Sequence, residues 1–144
     1  MQVREIPTEA TFDLRHRVLR PSQPISECQY PADGQAVHFG VFEEERLCSV
    51  VTAHPENSPL FPCEGQWRIR GMATEPGAQG RGLGSLGLKA LLAWAEAHRV
   101  SFFWCNAREG AIPFYLRHGF TVASELFDLP GIGPHKVMFR QVDA

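Results

Sequence analysis

The chain has 144 residues, 44% of them hydrophobic, which is enough for one compact domain, 1–144, with its own core. A formal net charge of −2, from 14 basic and 16 acidic residues, leaves no basic face over for a phosphate backbone and argues against a nucleic-acid partner. No run of about 18 apolar residues occurs, and Met1-Gln2-Val3-Arg4-Glu5 has neither leader nor anchor character, so a cytoplasmic protein without a membrane partner is expected.

Along the chain, Val3–Ile6 reads as a short strand stopped by Pro7, and Thr8 reads as the N-cap of a helix running to about Leu19. Residues 20–35, with Pro21, Pro24, Pro31 and Gly34, read as a long loop facing a substrate. His38–Glu43 and Leu47–Ala53 form a hairpin across Glu44-Glu45-Arg46, followed by irregular chain over 54–66. Trp67–Thr74 is a strand. Gly80–His98 is a helix with apolar positions 83, 86, 90, 94 and 97 at helical spacing. Val100–Asn106 is a buried strand and Glu109–His118 a short helix that admits Pro113 in its first turn, with Gly119 as a left-handed stop. Phe120–Phe127 and His135–Val142 make a second hairpin. The order predicts a mixed α/β sheet with helices on both sides. Four cysteines, at 28, 48, 63 and 105, lack a C-x-x-C pair, and the histidines lack ligand spacing, so reduced thiols and no metal are expected.

The glycine-rich turn Gln79-Gly80-Arg81-Gly82-Leu83-Gly84 opens directly into a helix. Bare backbone N–H groups at a helix N-terminus, about half a positive charge there and the added charge of Arg81 seat a phosphate or pyrophosphate. A Walker loop is excluded because no Gly-Lys-Ser/Thr is present. Gly82, Gly84 and Gly87 spell G-x-G-x-x-G, but seven residues including Pro76 separate Thr74 from Gly82. The next strand, Val100–Asn106, also supplies no acid for a ribose. What remains is Gln79-x-x-Gly82-x-Gly84.

That spacing resembles the pyrophosphate loop of the GNAT N-acetyltransferase superfamily. A second segment, Asn106-Ala107-Arg108-Glu109-Gly110-Ala111-Ile112-Pro113-Phe114-Tyr115-Leu116-Arg117-His118-Gly119-Phe120, resembles that superfamily's other signature, and the two lie about 22 residues apart in the same order. Leu14–Leu19, Pro24, Ala36–Gly40 and Phe127–Met138 are similar to its ElaA-like branch. Gly133 before Pro134-His135 and a short 20–35 region depart from that branch, so no acceptor is carried over from it. The resemblance implies a GNAT-like mixed sheet whose central parallel strands splay apart, acetyl-CoA as co-substrate, and pantetheine lying along Met72, Ala73 and Thr74.

The resemblance also places Gln79, Gly80, Arg81, Gly82, Leu83 and Gly84 at the pyrophosphate and Asn106 at the pantetheine. Tyr115, in the Phe-Tyr pair, is the candidate donor of a proton to the leaving thiolate, because a phenol titrating near 10 is protonated at neutral pH. The base stays open among His38, His135, Glu64, Glu75 and water. The expected reaction is direct attack, in a ternary complex, of a primary amine of a small molecule or peptide on acetyl-CoA. The alternative is a CoA-binding sensor without turnover. A homodimer is left open. Residues 20–35 and 131–135 are expected to select the acceptor.

Overall fold

The computed structural model describes residues 1–142. They form two compact units, Met1–Pro55 with Ile69–Trp94, and Glu56–Arg68 with the described residues from Ala95 onward.

In the first unit β1 (Gln2–Glu5), β2 (Val37–Glu43) and β3 (Arg46–Pro55) pair antiparallel in that order, and β4 (Trp67–Thr74) follows β3. The first two residues of β4 belong to the second unit. Valine is the commonest residue of β2 and β3, and β2 adds two phenylalanines; side chains of this kind fit a pleated surface. Their two-residue turn places Glu44 and Glu45 at φ of 50° and 65°. A left-handed turn suits the twist of a hairpin but normally recruits Asn-Gly, so two glutamates hold it under strain. Ile6, Leu14, Val50 and Ala73 form one core cluster, and Val41, Cys48, Ala78 and Leu83 another.

The expected Thr8–Leu19 helix is broken into a 3₁₀ turn over Thr8–Thr11, a single α turn α1 (Phe12–Leu14) and a π turn over Arg15–Leu19. Thr8 does not cap it. Its hydroxyl goes to the Asp33 carbonyl and to His38 instead. Residues 20–35 hold 3₁₀ turns at Ile25–Cys28 and Pro31–Gln35. Helix α2 spans Leu83–Ala97, not Gly80–His98, because Gly80 and Gly82 both stand at φ of 79°, outside the helical region. Its buried stripe is Leu83, Leu88, Leu91 and Ala95, and Ala97 is exposed. Gly87 shifts the stripe from the expected register: a Cβ there would lie 3.4 Å from Val51 and 3.7 Å from Val41, so the smallest residue takes the closest approach.

In the second unit β5 (Phe102–Arg108) pairs parallel with β4 at Trp67↔Phe103 and Arg68↔Trp104, a two-pair ladder at the start of strands eight and seven residues long. β8 (Gly133–Gln141) pairs antiparallel with β5, with β6 (Thr121–Val122) and with β7 (Phe127–Leu129). The strand expected over Phe120–Phe127 is thus two short ones. Strand β5 runs past Asn106 to Arg108, because Ala107 and Arg108 still find partners in Lys136 and His135. Helix α3 spans Ile112–Arg117 with proline in its first turn, and Gly119, at φ of 81°, ends it. Gln66, 1% exposed, ties down the proline-rich 56–66 segment by accepting from Ser58 N at 2.7 Å and donating to the carbonyls of Cys63 and Phe61. Among the described residues, eight strands with flanking helices make the fold mixed α/β, and no helix is long and apolar enough to cross a membrane.

Candidate active site

In the first unit β4 ends at Thr74, whose Oγ1 lies 2.9 Å from Ser49 Oγ. Glu75 N then donates to the Cys48 carbonyl at 2.7 Å, and Gln79 Nε2 reaches back to the Thr74 carbonyl at 3.3 Å. These bonds anchor the turn to the strand before it. Gly82 accepts the first helical bond, from Leu86 N at 3.1 Å, and so occupies the N-cap of α2. Glycine supplies no capping oxygen there. The amides of Leu83, Gly84 and Ser85 therefore head the helix with no side-chain acceptor from their own cap. A Cβ at Gly80 or Gly82 would meet nothing within 4 Å. Packing does not require these glycines. The left-handed backbone does, and the space above it is open. Leu83, 1% exposed, anchors the helix start in the Val41, Cys48 and Ala78 cluster, and Arg81 donates twice to Glu43 on β2. Ala73 is buried, while Met72 and Thr74 are half-buried.

One turn earlier on β4, Gly71 sits at φ of 65°. A Cβ there would come within 3.1 Å of both Arg15 Nε and the Tyr30 ring, so glycine makes room for a clamp. Arg15, fully buried, donates to both carboxylate oxygens of Asp33 at 2.9 and 3.0 Å, to the Cys28 carbonyl at 2.9 Å and to Thr52 Oγ1 at 2.8 Å. Its guanidinium lies over the Tyr30 ring at 3.9 Å, and that of Arg70 lies over the same ring at 4.0 Å. The 20–35 segment is therefore held by a buried ion pair. Burial is the largest single influence and works to raise the Asp33 pKa, but the Arg15 hydrogen bonds, the Tyr30 amide and the charges of Arg15 and His38 together outweigh it and hold the carboxyl below its ordinary range.

His38, 3% exposed, joins the same network, with Nδ1 2.8 Å from Thr52 Oγ1 and Nε2 3.0 Å from Thr8 Oγ1. The donor order Arg15 to Thr52, Thr52 to Nδ1, Nε2–H to Thr8 and Thr8 to the Asp33 carbonyl satisfies every member with a neutral ring. Burial, and after it the Arg15 charge, push the imidazole pKa below 6.5, against weaker upward pulls from Asp33 and Glu9. An unfolded chain then takes up a proton near pH 6.5 while the folded one waits for lower pH. The expected result is unfolding stability that is full above that value and falls as pH drops below it. In His38→Gln, urea titrations should show a shallower fall between about pH 6.5 and 5.

In the second unit Tyr115 is 6% exposed on α3, packed edge-on against Phe114 and Phe120, each at 5.2 Å between ring centroids. Its phenol and the Cys105 thiol share a hydrogen bond. Burial, reinforced by Cys105, holds the phenol well above its ordinary value of 10. Asn106 is half-buried opposite Val137. His135 lies within β8, which begins two residues earlier than expected because the hairpin turn ends at Gly133. Its Nδ1 is 2.7 Å from the Gly133 carbonyl, which makes Nδ1 the donor and, in the neutral ring, Nε2 the acceptor. The Arg15–Asp33 clamp and the Cys105–Tyr115 pair were missed from sequence. An arginine inside a helical pattern, and an aspartate in the Pro31-Ala32-Asp33-Gly34 turn, were the available signal for the first.

A glycine turn after the fourth strand, entering the helix at Leu83, and a helix Ile112–Arg117 closed by Gly119-Phe120 define one class of protein. The profile of the Acetyltransferase (GNAT) family matches residues 2–120, and the chain belongs to that family. It is 37% identical over 142 residues to YitI of Bacillus subtilis (strain 168), an uncharacterised N-acetyltransferase, covering 97% of this chain and 95% of that protein. Among solved structures it is similar in fold to Escherichia coli ElaA, with a TM-score of 0.75 and 18% identity over 96% of this chain and 98% of that one. It is likewise similar to an aminoglycoside 6'-N-acetyltransferase complexed with coenzyme A, with a TM-score of 0.78 and 10% identity over 100% of this chain and 98% of that one.

Proposed function

We propose that residues 1–144 act as a single acyl-CoA-dependent N-acyltransferase domain that moves an acetyl group from acetyl-CoA to a primary amine of a small molecule or peptide. The observation that carries this reading is the left-handed turn Gly80–Gly82 at the N-cap of α2, bare and open above the first helical amides. A diphosphate fits there on geometry and charge: three backbone donors, the helix dipole and Arg81, which exchanges its exposed Glu43 partner for a phosphate oxygen. Coenzyme A bound to the aminoglycoside 6'-N-acetyltransferase of similar fold supports the choice of ligand.

Met72, Ala73 and Thr74 then present backbone N–H and C=O groups to the pantetheine, and Asn106 adds a side-chain amide. A backbone N–H on β4 steadies the oxyanion as the amine attacks the thioester carbonyl directly. His135, with Nε2 as acceptor, takes the amine proton, while both ring nitrogens of His38 are engaged by threonines. Tyr115, kept protonated by burial, donates to the leaving thiolate. The reaction is tested by thiol release from acetyl-CoA over a pooled amine library, which also identifies the acceptor. Tyr115→Phe keeps the ring packing and should lower kcat by about ten- to a thousandfold at near-constant KM for acetyl-CoA. Tight CoA binding with no turnover over the whole pool would favour a sensor instead.

A further inference from the structure

Cys105 and Tyr115 make a buried pair of titratable groups of which the mechanism so far uses one. Phe103, Cys105 and Ala107 turn to one side of β5 and are 0%, 2% and 2% exposed. Helix α3 begins at Ile112, four residues after β5 ends at Arg108, and brings Tyr115 back onto that side. The phenol meets the thiol in a hydrogen bond, and Phe114 and Phe120 flank the tyrosine ring. The ring cannot turn to another partner without repacking both phenylalanines. Burial pushes the Cys105 thiol up to about 12, with Arg68 of β4 the other charged group acting on it, so the sulfur keeps its proton at any working pH.

We propose that Cys105 is the positioning residue of Tyr115: its sulfur accepts the phenol's hydrogen bond and so fixes the ring and its O–H in place until the proton is passed to the leaving thiolate. This rests on the reading of Tyr115 as proton donor. In the step the acyl C–S bond breaks, the Tyr115 O–H bond breaks and the S–H bond of CoA forms. The amine proton taken by His135 is returned through solvent to the phenolate, so that both groups end the cycle in their starting forms, and Cys105 is neither oxidised nor deprotonated. Valine at 105 fills the space but cannot accept from the phenol. Serine can.

The test titrates the thiol of bound CoA on the full chain by the ultraviolet absorbance of its thiolate, with the desulfo-CoA complex as blank so that the protein's own thiols cancel. It needs no acceptor. In the unaltered protein the bound thiol should ionise about one pH unit below free CoA. Tyr115→Phe should abolish that shift, Cys105→Val should remove at least about half of it, and Cys105→Ser should keep it. With amine acceptors, Cys105→Val should lower kcat by about tenfold at unchanged KM for acetyl-CoA, and should add nothing in a Tyr115→Phe background. Loss of the shift in Tyr115→Phe together with an unchanged shift and kcat in Cys105→Val overturns the inference and leaves Tyr115 as donor. An unchanged shift in Tyr115→Phe overturns both. A Cys105→Val protein that only melts earlier, with kcat intact below its midpoint, marks the thiol as filler and overturns the inference. Should the valine variant not fold, Cys105→Ala takes its place in every arm.

Discussion

Asp33→Ala is expected to cost about 3–5 kcal/mol of unfolding stability, the penalty of leaving a buried charge without its partner. The Arg15 side chain is fully buried and the Asp33 side chain 9% exposed, so removing the carboxylate strands a guanidinium that water cannot reach. The bond from Tyr30 N to Asp33 Oδ2, at 2.9 Å, goes with it. At about 3 °C per kcal/mol for a chain of this size, the thermal midpoint should fall by on the order of 10 °C. Urea unfolding checks the number, with an unchanged slope showing that the variant still unfolds in one step. Arg15→Met combined with Asp33→Leu should recover part of the loss, because an apolar pair leaves no orphaned charge. A cost below about 1 kcal/mol would show that the pair behaves like an exposed one. The clamp also ties 20–35 to β3, so the acceptor's KM should rise in Asp33→Ala while CoA affinity holds.

Gly82→Val should weaken CoA binding by about a hundredfold or more. Two or three charge-assisted bonds from backbone amides, at about 1.5–3 kcal/mol each, depend on the turn that glycine permits. Valine at φ of 79° is strained wherever it points, so the turn itself rearranges. Gly82→Asn separates the two causes, because asparagine tolerates the left-handed region but still projects a side chain into the open space above the loop. Calorimetry should find both variants folded and both weak, with valine the weaker. Affinity for CoA unchanged in the two would remove the pyrophosphate from this loop.

The strand Trp67–Thr74 was legible to the residue, because a proline and a run of glycines punctuate it and the pattern inside it is apolar. Helix α2 was legible as an element but not in its start or its buried face. Both were set by glycines, whose effect depends on φ at Gly82 and on the distance from Gly87 to Val51, and neither is written in a pattern of hydrophobicity. The Thr8–Leu19 segment has helical spacing, yet Arg15 inside it is drawn to Asp33 and the winding loosens to a π turn around that contact. The glycine loop and Tyr115 stand out as candidates in the sequence because their spacing is local. The partners of Arg15 and Tyr115 lie 18 and 10 residues away along the chain and only folding introduces them. The start of β8 reads as His135 because Gly131, Gly133 and Pro134 look like loop, whereas the hairpin turn is tighter than that and the strand begins at Gly133.

Strand β8 carries a cost in time. As the chain leaves the ribosome, β5, β6 and β7 are made first, and each pairs antiparallel with a strand that ends at Gln141. Until then Phe102-Phe103-Trp104-Cys105 is an apolar, uncharged stretch without that partner, the composition that recruits neighbouring chains. Translation is slow beside collapse, so the interval is long on a molecular clock. The window in which nascent chains are vulnerable to one another is therefore set by the last strand to emerge, and loss of a few residues from β8 would act on yield from the ribosome before it acted on the melting of finished protein.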